Sequence, residues 1–442
     1  MAHEKDVVMH TWCVQQNWNA PTIVSGKGAV FQDEHGQTYL DMSSLAESNH
    51  LGHQHPRIVE AIKKQADELC FITSEWGAKS RADLAEKLLE VSGFKNGRVF
   101  FTLGGADANE NAVKFARWAS GKPNGKVITR YRSYHGASPA TSAMSGDPRS
   151  IHQAQGMNGV VHVPPPYCYR CPMGLQYGSC HTRCATYIED VLNWESPASV
   201  AAVVMEPSAG TNGIIAPPEY WKTLRAITRK HNIPLIADEV MSGFGRTGQW
   251  FAWQHFGEEN QPDMMTLAKG LTGAHLPLGA VVVSEAICKK LDTQMLYTGL
   301  TYGGHPLCCA AGLAAVESYQ EENLIERSRV LGGYLKQRLQ AMKERLDIIG
   351  DIRGDGLFAV IELIGNKTTK EALVPWGVNS SLLRNLVDKG RAKGVSFATR
   401  SNLIILAPPL VITQDQLDVA LDLLEQLVED CETHIFGLPE AV

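Results

Sequence analysis

Residues 233–283 read IPLIADEVMSGFGRTGQWFAWQHFGEENQPDMMTLAKGLTGAHLPLGAVVV. The stretch opens on an apolar run, Pro234-Leu235-Ile236-Ala237, too short for a helix and bounded by a proline. That is the pattern of a buried strand. The run stops on two carboxylates, Asp238 and Glu239, and a second apolar run, 264–268, stops on Lys269 and Gly270. An acid and an amine therefore each stand where an apolar strand ends. In an open α/β sheet the carboxyl ends of the strands line the ligand crevice.

The chemistry of that pair is specific. A lysine in a partly desolvated site loses its proton readily and attacks a carbonyl. A carboxylate held against a pyridine nitrogen keeps that nitrogen protonated, so that the ring can accept electrons. These are the two protein groups that pyridoxal phosphate requires. Ala237-Asp238-Glu239-Val240, Gly243-Phe244-Gly245-Arg246-Thr247-Gly248, Thr266-Leu267-Ala268-Lys269-Gly270 and Pro277-Leu278-Gly279-Ala280 resemble, in order and spacing, the class III or ω-aminotransferase family. The resemblance covers nearly the whole chain. It implies an α/β protein of the type I pyridoxal phosphate fold, with a large domain built on a mostly parallel sheet and a small α+β domain drawn from both chain ends. The expected boundaries are 1–65 and 326–442 for the two parts of the small domain and 66–325 for the large one.

Composition is that of an ordinary soluble globular protein. The 442 residues exceed one ordinary core and suggest two packed domains. Hydrophobic residues make up 44%, charged residues 20%, and the net charge is −6, a balance that points to neither nucleic acid nor an anionic membrane. The N-terminal MAHEKDVVMHTWCVQQ lacks an apolar signal core, and no run is long enough to span a bilayer, so a cytoplasmic location is expected. Six of the ten cysteines are scattered and read as reduced thiols.

Along the chain, residues 1–30 look irregular and 28–41 read as a hairpin around an Asp-Glu-His-Gly turn. Residues 56–69 and 81–91 have helical spacing. A strand at 97–101 runs into Gly104-Gly105-Ala106-Asp107-Ala108-Asn109-Glu110, a Gly-rich turn that opens a helix through Trp118. Free amides and the positive end of a helix dipole dock a phosphate there. The family usually has Ser-Gly-Ser-Glu-Ala-Asn-Glu at this place. Hydroxyl contacts are therefore lost at Gly104 and Ala106, and amide contacts from Gly105 and Ala106 remain. The strand at 126–129 leads to Tyr134-His135-Gly136, where the resemblance makes Tyr134 the ring that stacks on the cofactor, beside His135. The other reading of Tyr134 is a core tyrosine. The strand at 200–205 ends on Glu206-Pro207, with Glu206 near the site by resemblance. His50, His53 and His55 read as a loop entering a helix.

The resemblance assigns Lys269 and Asp238 the catalytic roles. It assigns Gly105, Ala106, Tyr134, His135, Glu206, Asp238, Val240, Lys269 and Thr301 to the cofactor. Thr301 reaches the phosphate of a neighbouring subunit in the family, which implies a homodimer with shared sites and allows a tetramer. Arg400 is the expected partner of a substrate carboxylate. Trp18 is either a pocket-lining aromatic or a packing residue. Glu47 is either a ligand for the cationic end of a diamine or a hydrogen-bonded carboxylate. The ornithine and 4-aminobutyrate branches carry a second glutamate where this chain has Thr211, and a glutamine where it has Met241. These departures favour pyruvate as the oxo-acid acceptor, with an ω-amino acid or primary amine as donor, in a ping-pong transamination. The alternatives on the same fold are a 2-oxoglutarate-dependent aminotransferase, a mutase, a racemase or a decarboxylase. Cys168-Tyr169-Arg170-Cys171 followed by Cys180-His181-Thr182-Arg183-Cys184 has spacing akin to a zinc site. The other reading is an insertion carrying reduced thiols, and no catalytic metal is expected.

Overall fold

The computed structural model describes residues 4–152 and 156–437, with backbone alone for 151 and 152. The chain enters a meander of three antiparallel strands, β1 (Ile23–Lys27), β2 (Val30–Asp33) and β3 (Thr38–Asp41). The expected hairpin is β2–β3. Asp33 closes its turn, accepting from the amides of His35 (3.0 Å) and Gln37 (2.9 Å) and from the Tyr39 hydroxyl (2.7 Å). Strand β1 lies in the part expected to be irregular, because its pairing partner, rather than its own pattern, defines it. Helix α1 (Pro56–Glu68) starts on a proline, whose missing N–H has no cost in a first turn. Helix α2 (Lys79–Ser92) ends on Gly93 at φ 71°, the left-handed position that glycine takes freely.

The central sheet follows: β4 (Arg98–Thr102), helix α3 (Gly105–Ala119), β5 (Lys126–Arg130), β6 (Val160–Val163), helix α4 (Arg183–Glu195), β7 (Val200–Met205), helix α5 (Pro218–Lys230), β8 (Leu235–Asp238), β9 (Met264–Leu267) and β10 (Gly279–Val283). The seven strands stand in the order β4-β10-β9-β8-β7-β5-β6. Only β10 runs antiparallel to its neighbours. Every residue of β7, β8, β9 and β10 is buried. Helices cover both faces, which is why these strands read as continuous apolar runs instead of alternating.

The chain then runs through α6 (Pro306–Glu321), α7 (Leu324–Arg345), the hairpin β11 (Ile349–Asp355) and β12 (Phe358–Asn366), α8 (Ser381–Ala392), β13 (Val395–Ser396), β14 (Ala398–Arg400), β15 (Leu403–Leu406) and α9 (Gln414–Phe436). Strands β11-β12-β15-β14 form one antiparallel sheet. Strand β13 leaves it and pairs in parallel with β3, Val395 opposite Leu40, so a C-terminal strand completes the N-terminal sheet. One apolar cluster runs from Leu235 and Met265 of the central sheet to Leu417 and Leu424 of α9.

Candidate active site

Most of the expected residues stand at or just beyond the carboxyl ends of the parallel strands. Asp238 is the last residue of β8 and is 4% exposed. Its Oδ2 accepts from Asn109 Nδ2 (2.8 Å) and meets His135 Nδ1 (2.7 Å), and its Oδ1 accepts from the Val240 amide (3.1 Å). Asn109 is itself held by the Thr266 hydroxyl of β9 at 2.8 Å, and His135 by Thr129 of β5 at 3.1 Å. Asp238 therefore cannot swing. Glu206, just beyond β7, faces Arg130 Nη2 at 3.3 Å. Burial pushes its carboxyl up to about 7, against the opposing pull of Arg130.

Lys269 follows β9 in the left-handed region, at φ 45°, a conformation unusual for a side-chain-bearing residue and common at functional sites. Its Nζ donates to Glu47 Oε2 at 3.0 Å. Burial raises the Glu47 pKa, but the charge and hydrogen bond of Lys269 outweigh it and leave the carboxyl below its ordinary value. Glu47 arrives on a turn in which Ser44, Leu45, Ala46 and Glu47 all have positive φ. Each such residue costs about 1–2 kcal/mol. Long-range bonds hold the turn. Ser44 Oγ donates to Ala407 O (2.6 Å) and accepts from Arg246 Nη2 (3.1 Å), while Arg246 Nη1 donates to Leu357 O (2.9 Å) and Pro408 O (2.6 Å).

The turn before α3 forms a cradle. No side chain caps the helix at Gly104. A Cβ on Gly105 would lie 2.9 Å from Val240 Cγ1, and one on Gly136 would lie 2.6 Å from Ala106 Cβ. The glycines are what lets Gly105, Ala106, Gly136 and Val240 close on one another, with first-turn amides aimed outward for an anion. Tyr134 is half-buried beside this cradle, and the Arg149 guanidinium lies 4.1 Å from its ring centroid. Arg400, the last residue of β14, makes no side-chain hydrogen bond or ion pair among the described residues, and its buried Nε has no partner. Burial lowers its pKa first, then the charge of Arg149; Asp147, Glu47 and Tyr134 pull the other way.

An anion cradle, an aromatic ring, a fixed carboxylate and an amine make a donor set that fits pyridoxal phosphate. Two expected residues make no contact with it among the described residues. Thr301 is exposed on the turn before α6, and Trp18 stacks on His10 at 3.6 Å. Asn109, Arg130 and Arg149 belong to the arrangement but were not singled out by sequence. For Asn109 the signal was present, in the turn quoted above. For Arg149 it was only an Asp147-Pro148-Arg149 triplet.

The cysteine segment lies elsewhere. Cys168, Cys171, Cys180 and Cys184 line one small cavity and carry no disulfide. Among the described residues no three of Cys, His, Asp and Glu come together in a way that would hold a metal. Burial and the neighbouring thiols push Cys184 up to about 12. The segment is clamped to β12 through Glu362, which accepts from Tyr167 Oη, Arg170 Nε (2.7 Å) and Arg353 Nη1 (2.8 Å). No helix among the described residues is long and apolar enough to cross a membrane.

Comparison with known proteins gives a consistent result. The family model described as Aminotransferase class-III matches residues 14–428. A leucine/methionine racemase of Thermococcus litoralis is 36% identical over 93% of this chain and 92% of its own. Gamma aminobutyrate transaminase 2 of Solanum lycopersicum is 34% identical over 93% and 92%. The structure of a taurine:2-oxoglutarate aminotransferase from Bifidobacterium kashiwanohense, in complex with PLP and glutamate, superposes with a TM-score of 0.92 at 38% identity, covering 98% of this chain and 97% of that one.

Proposed function

The chain belongs to the class III aminotransferases, fold type I enzymes that use pyridoxal phosphate, and from that premise we propose that it moves the amino group of an ω-amino acid or primary amine to an oxo-acid, with pyruvate as the favoured acceptor. One observation carries the substrate side of this reading. Arg400 is a half-buried guanidinium with no ion pair or side-chain hydrogen bond among the described residues. The two nearby carboxylates are taken: Glu47 by Lys269 and Asp147 by Arg149. An acid on the substrate supplies the missing partner.

The cofactor, when bound, supplies the aldehyde that captures the amine and the ring that takes up the electrons released at the substrate carbon. The chain does the rest. Gly105 and Ala106 hold the phosphate with backbone amides, and Tyr134 packs against the ring. Asp238, fixed by Asn109 and His135, stays on the ring nitrogen and holds its proton there. Lys269 Nζ, freed once the incoming amine takes its place, would serve as the base that removes the proton from the substrate carbon and as the acid that gives a proton back. Glu47 Oε2 receives the lysine ammonium between these transfers, which is the cationic partner its position favours. Thr301 is assigned to the partner site of a homodimer, and the ten free thiols suit a reducing cytoplasm.

A second acceptor has its own support. The relative with bound glutamate is named for 2-oxoglutarate. The test is spectral. The holoenzyme is mixed with single amines and no acceptor, and the visible cofactor band is followed. Bleaching by β-alanine or taurine and recovery with pyruvate supports the proposal. Recovery with 2-oxoglutarate alone moves the acceptor to the second reading. Loss of optical activity from leucine or methionine without any oxo-acid makes the chain a racemase like its Thermococcus relative.

A further inference from the structure

Three histidines, His50, His53 and His55, stand in the loop that leads into α1. His55 Nε2 meets Glu322 Oε1 at 2.8 Å, and His53 Nε2 faces Asp41 Oδ2 at 3.8 Å. His50 is 0% exposed, and its ring nitrogens meet main-chain carbonyls instead of an acid among the described residues. A polar ring shut in without an ionic partner is held by what it touches.

His50 touches both sides of the Glu47–Lys269 contact. Its Nε2 faces Glu47 O at 3.2 Å, and its Nδ1 faces Phe244 O at 3.3 Å. A Cβ on Gly270, the residue after Lys269, would lie 2.6 Å from His50 Nδ1 and 2.8 Å from its Cε1, so the ring rests directly on the Gly270 backbone. Gly270 is held in turn by Tyr319, whose hydroxyl donates to Gly270 O at 2.8 Å and whose ring meets His50 edge-on at 6.4 Å. The main chain of His50 is pinned as well, since its carbonyl accepts from the Leu410 amide at 2.7 Å.

Burial, and after it the charge of Arg246, holds the imidazole well below its ordinary pKa, so the ring is neutral. A neutral imidazole has one N–H to give. Of the two carbonyls, that of Glu47 is the nearer. It belongs to the last of four consecutive residues with positive φ, none of them glycine. Such a turn persists only where its surroundings hold it. The residue held at that carbonyl is the one whose carboxylate reaches Lys269 Nζ at 3.0 Å. We propose that His50 is a positioning residue: its Nε2–H on Glu47 O and its ring on Gly270 fix the Glu47 carboxylate and the Lys269 amine relative to each other. This rests on Lys269 being the reacting amine, and not on which donor or acceptor is used.

The test times the acetylation of Lys269 in the full-length protein freed of cofactor. Trace acetic anhydride is the reagent, and the Lys269 peptide is followed by mass spectrometry. The Lys269 side chain is 27% exposed, so the reagent reaches it. Glu47→Gln, which removes the charge-assisted bond, is expected to speed labelling about tenfold over wild type. His50→Ala is expected to come within about threefold of Glu47→Gln, while the other lysines label as in wild type. The double variant is expected to be no faster than Glu47→Gln alone, because His50 acts through Glu47. His50→Gln, which keeps an amide N–H able to reach Glu47 O, is expected to stay within about threefold of wild type. His50→Leu takes the place of His50→Ala if the latter does not fold. Wild-type labelling in Glu47→Gln or His50→Ala, a double variant faster by the product of the two single effects, or a His50→Gln that labels like His50→Ala overturns the inference. Labelling needs no donor, acceptor or cofactor, so it decides the inference even where no amine bleaches the cofactor.

Discussion

Arg246 is fully buried and Arg400 half-buried, and the protein treats them in opposite ways. Arg246, in the Gly-rich loop after β8, gives its two terminal nitrogens to Leu357 O, Pro408 O and Ser44 Oγ and leaves only Nε unpartnered. Those three acceptors come from three distant parts of the chain, so the guanidinium works as a staple. Burial still pushes its pKa down to about 10, where it remains charged at neutral pH. Arg400 has no such set of acceptors among the described residues. A cation that the fold satisfies serves the fold; a cation left unsatisfied at a crevice serves a ligand. Arg130 stands between the two, with one bond to Glu206 and with Nε and Nη1 unpartnered.

The contrast can be broken first at the staple. Arg246→Gln is expected to cost about 4 kcal/mol of folding stability, since it removes charge-assisted bonds and strands buried carbonyls. Urea unfolding of the holoenzyme measures this. A loss below about 1 kcal/mol would place Arg246 with the ligand-seeking arginines.

The intermediate pair is read through pH. The folded Glu206 carboxyl sits at about 7, above its ordinary 4.5. Below pH 4.5 both folded and unfolded chains hold the proton. Between 4.5 and about 7 the unfolded chain releases it and the folded chain keeps it, so stability falls as pH rises, by at most about 3 kcal/mol. Glu206→Gln is expected to remove that slope from urea midpoints taken at pH 5, 6, 7 and 8. An unchanged slope would assign it to other groups.

Smaller effects sharpen the picture. Ser44→Ala removes a 2.6 Å bond to Ala407 O and one acceptor of Arg246, and is expected to lower stability by about 1 kcal/mol in thermal melts. Arg400→Gln is expected to change stability by no more than about 0.5 kcal/mol, because no protein group loses a partner. A large destabilisation would show that Arg400 holds the fold as Arg246 does.

Much of this was legible in the chain. Strands β7, β8 and β9 announce themselves because both faces are buried, and the acid and amine at their ends follow from the pattern. The hairpin β2–β3 is legible through its turn. What was hidden depends on partners far away in sequence. Strand β13 pairs with β3 across some 355 residues, Val395 opposite Leu40. The Ser44–Glu47 turn has four positive φ values and no glycine, so it exists only through contacts with Ala407 and Arg246. Trp12 and Arg149 meet across 137 residues, from opposite sides of the first five strands. Local periodicity carries no trace of such meetings.

The most direct measurement is donor discrimination by Arg400. It compares kcat/KM for β-alanine with that for propylamine, which lacks the acid, in wild type and in Arg400→Gln. If the unpaired guanidinium exists for the substrate acid, Arg400→Gln loses about 100-fold or more on β-alanine and little on propylamine, consistent with removing a charge-assisted, two-bond contact. An equal loss on both donors, or none on either, would contradict it.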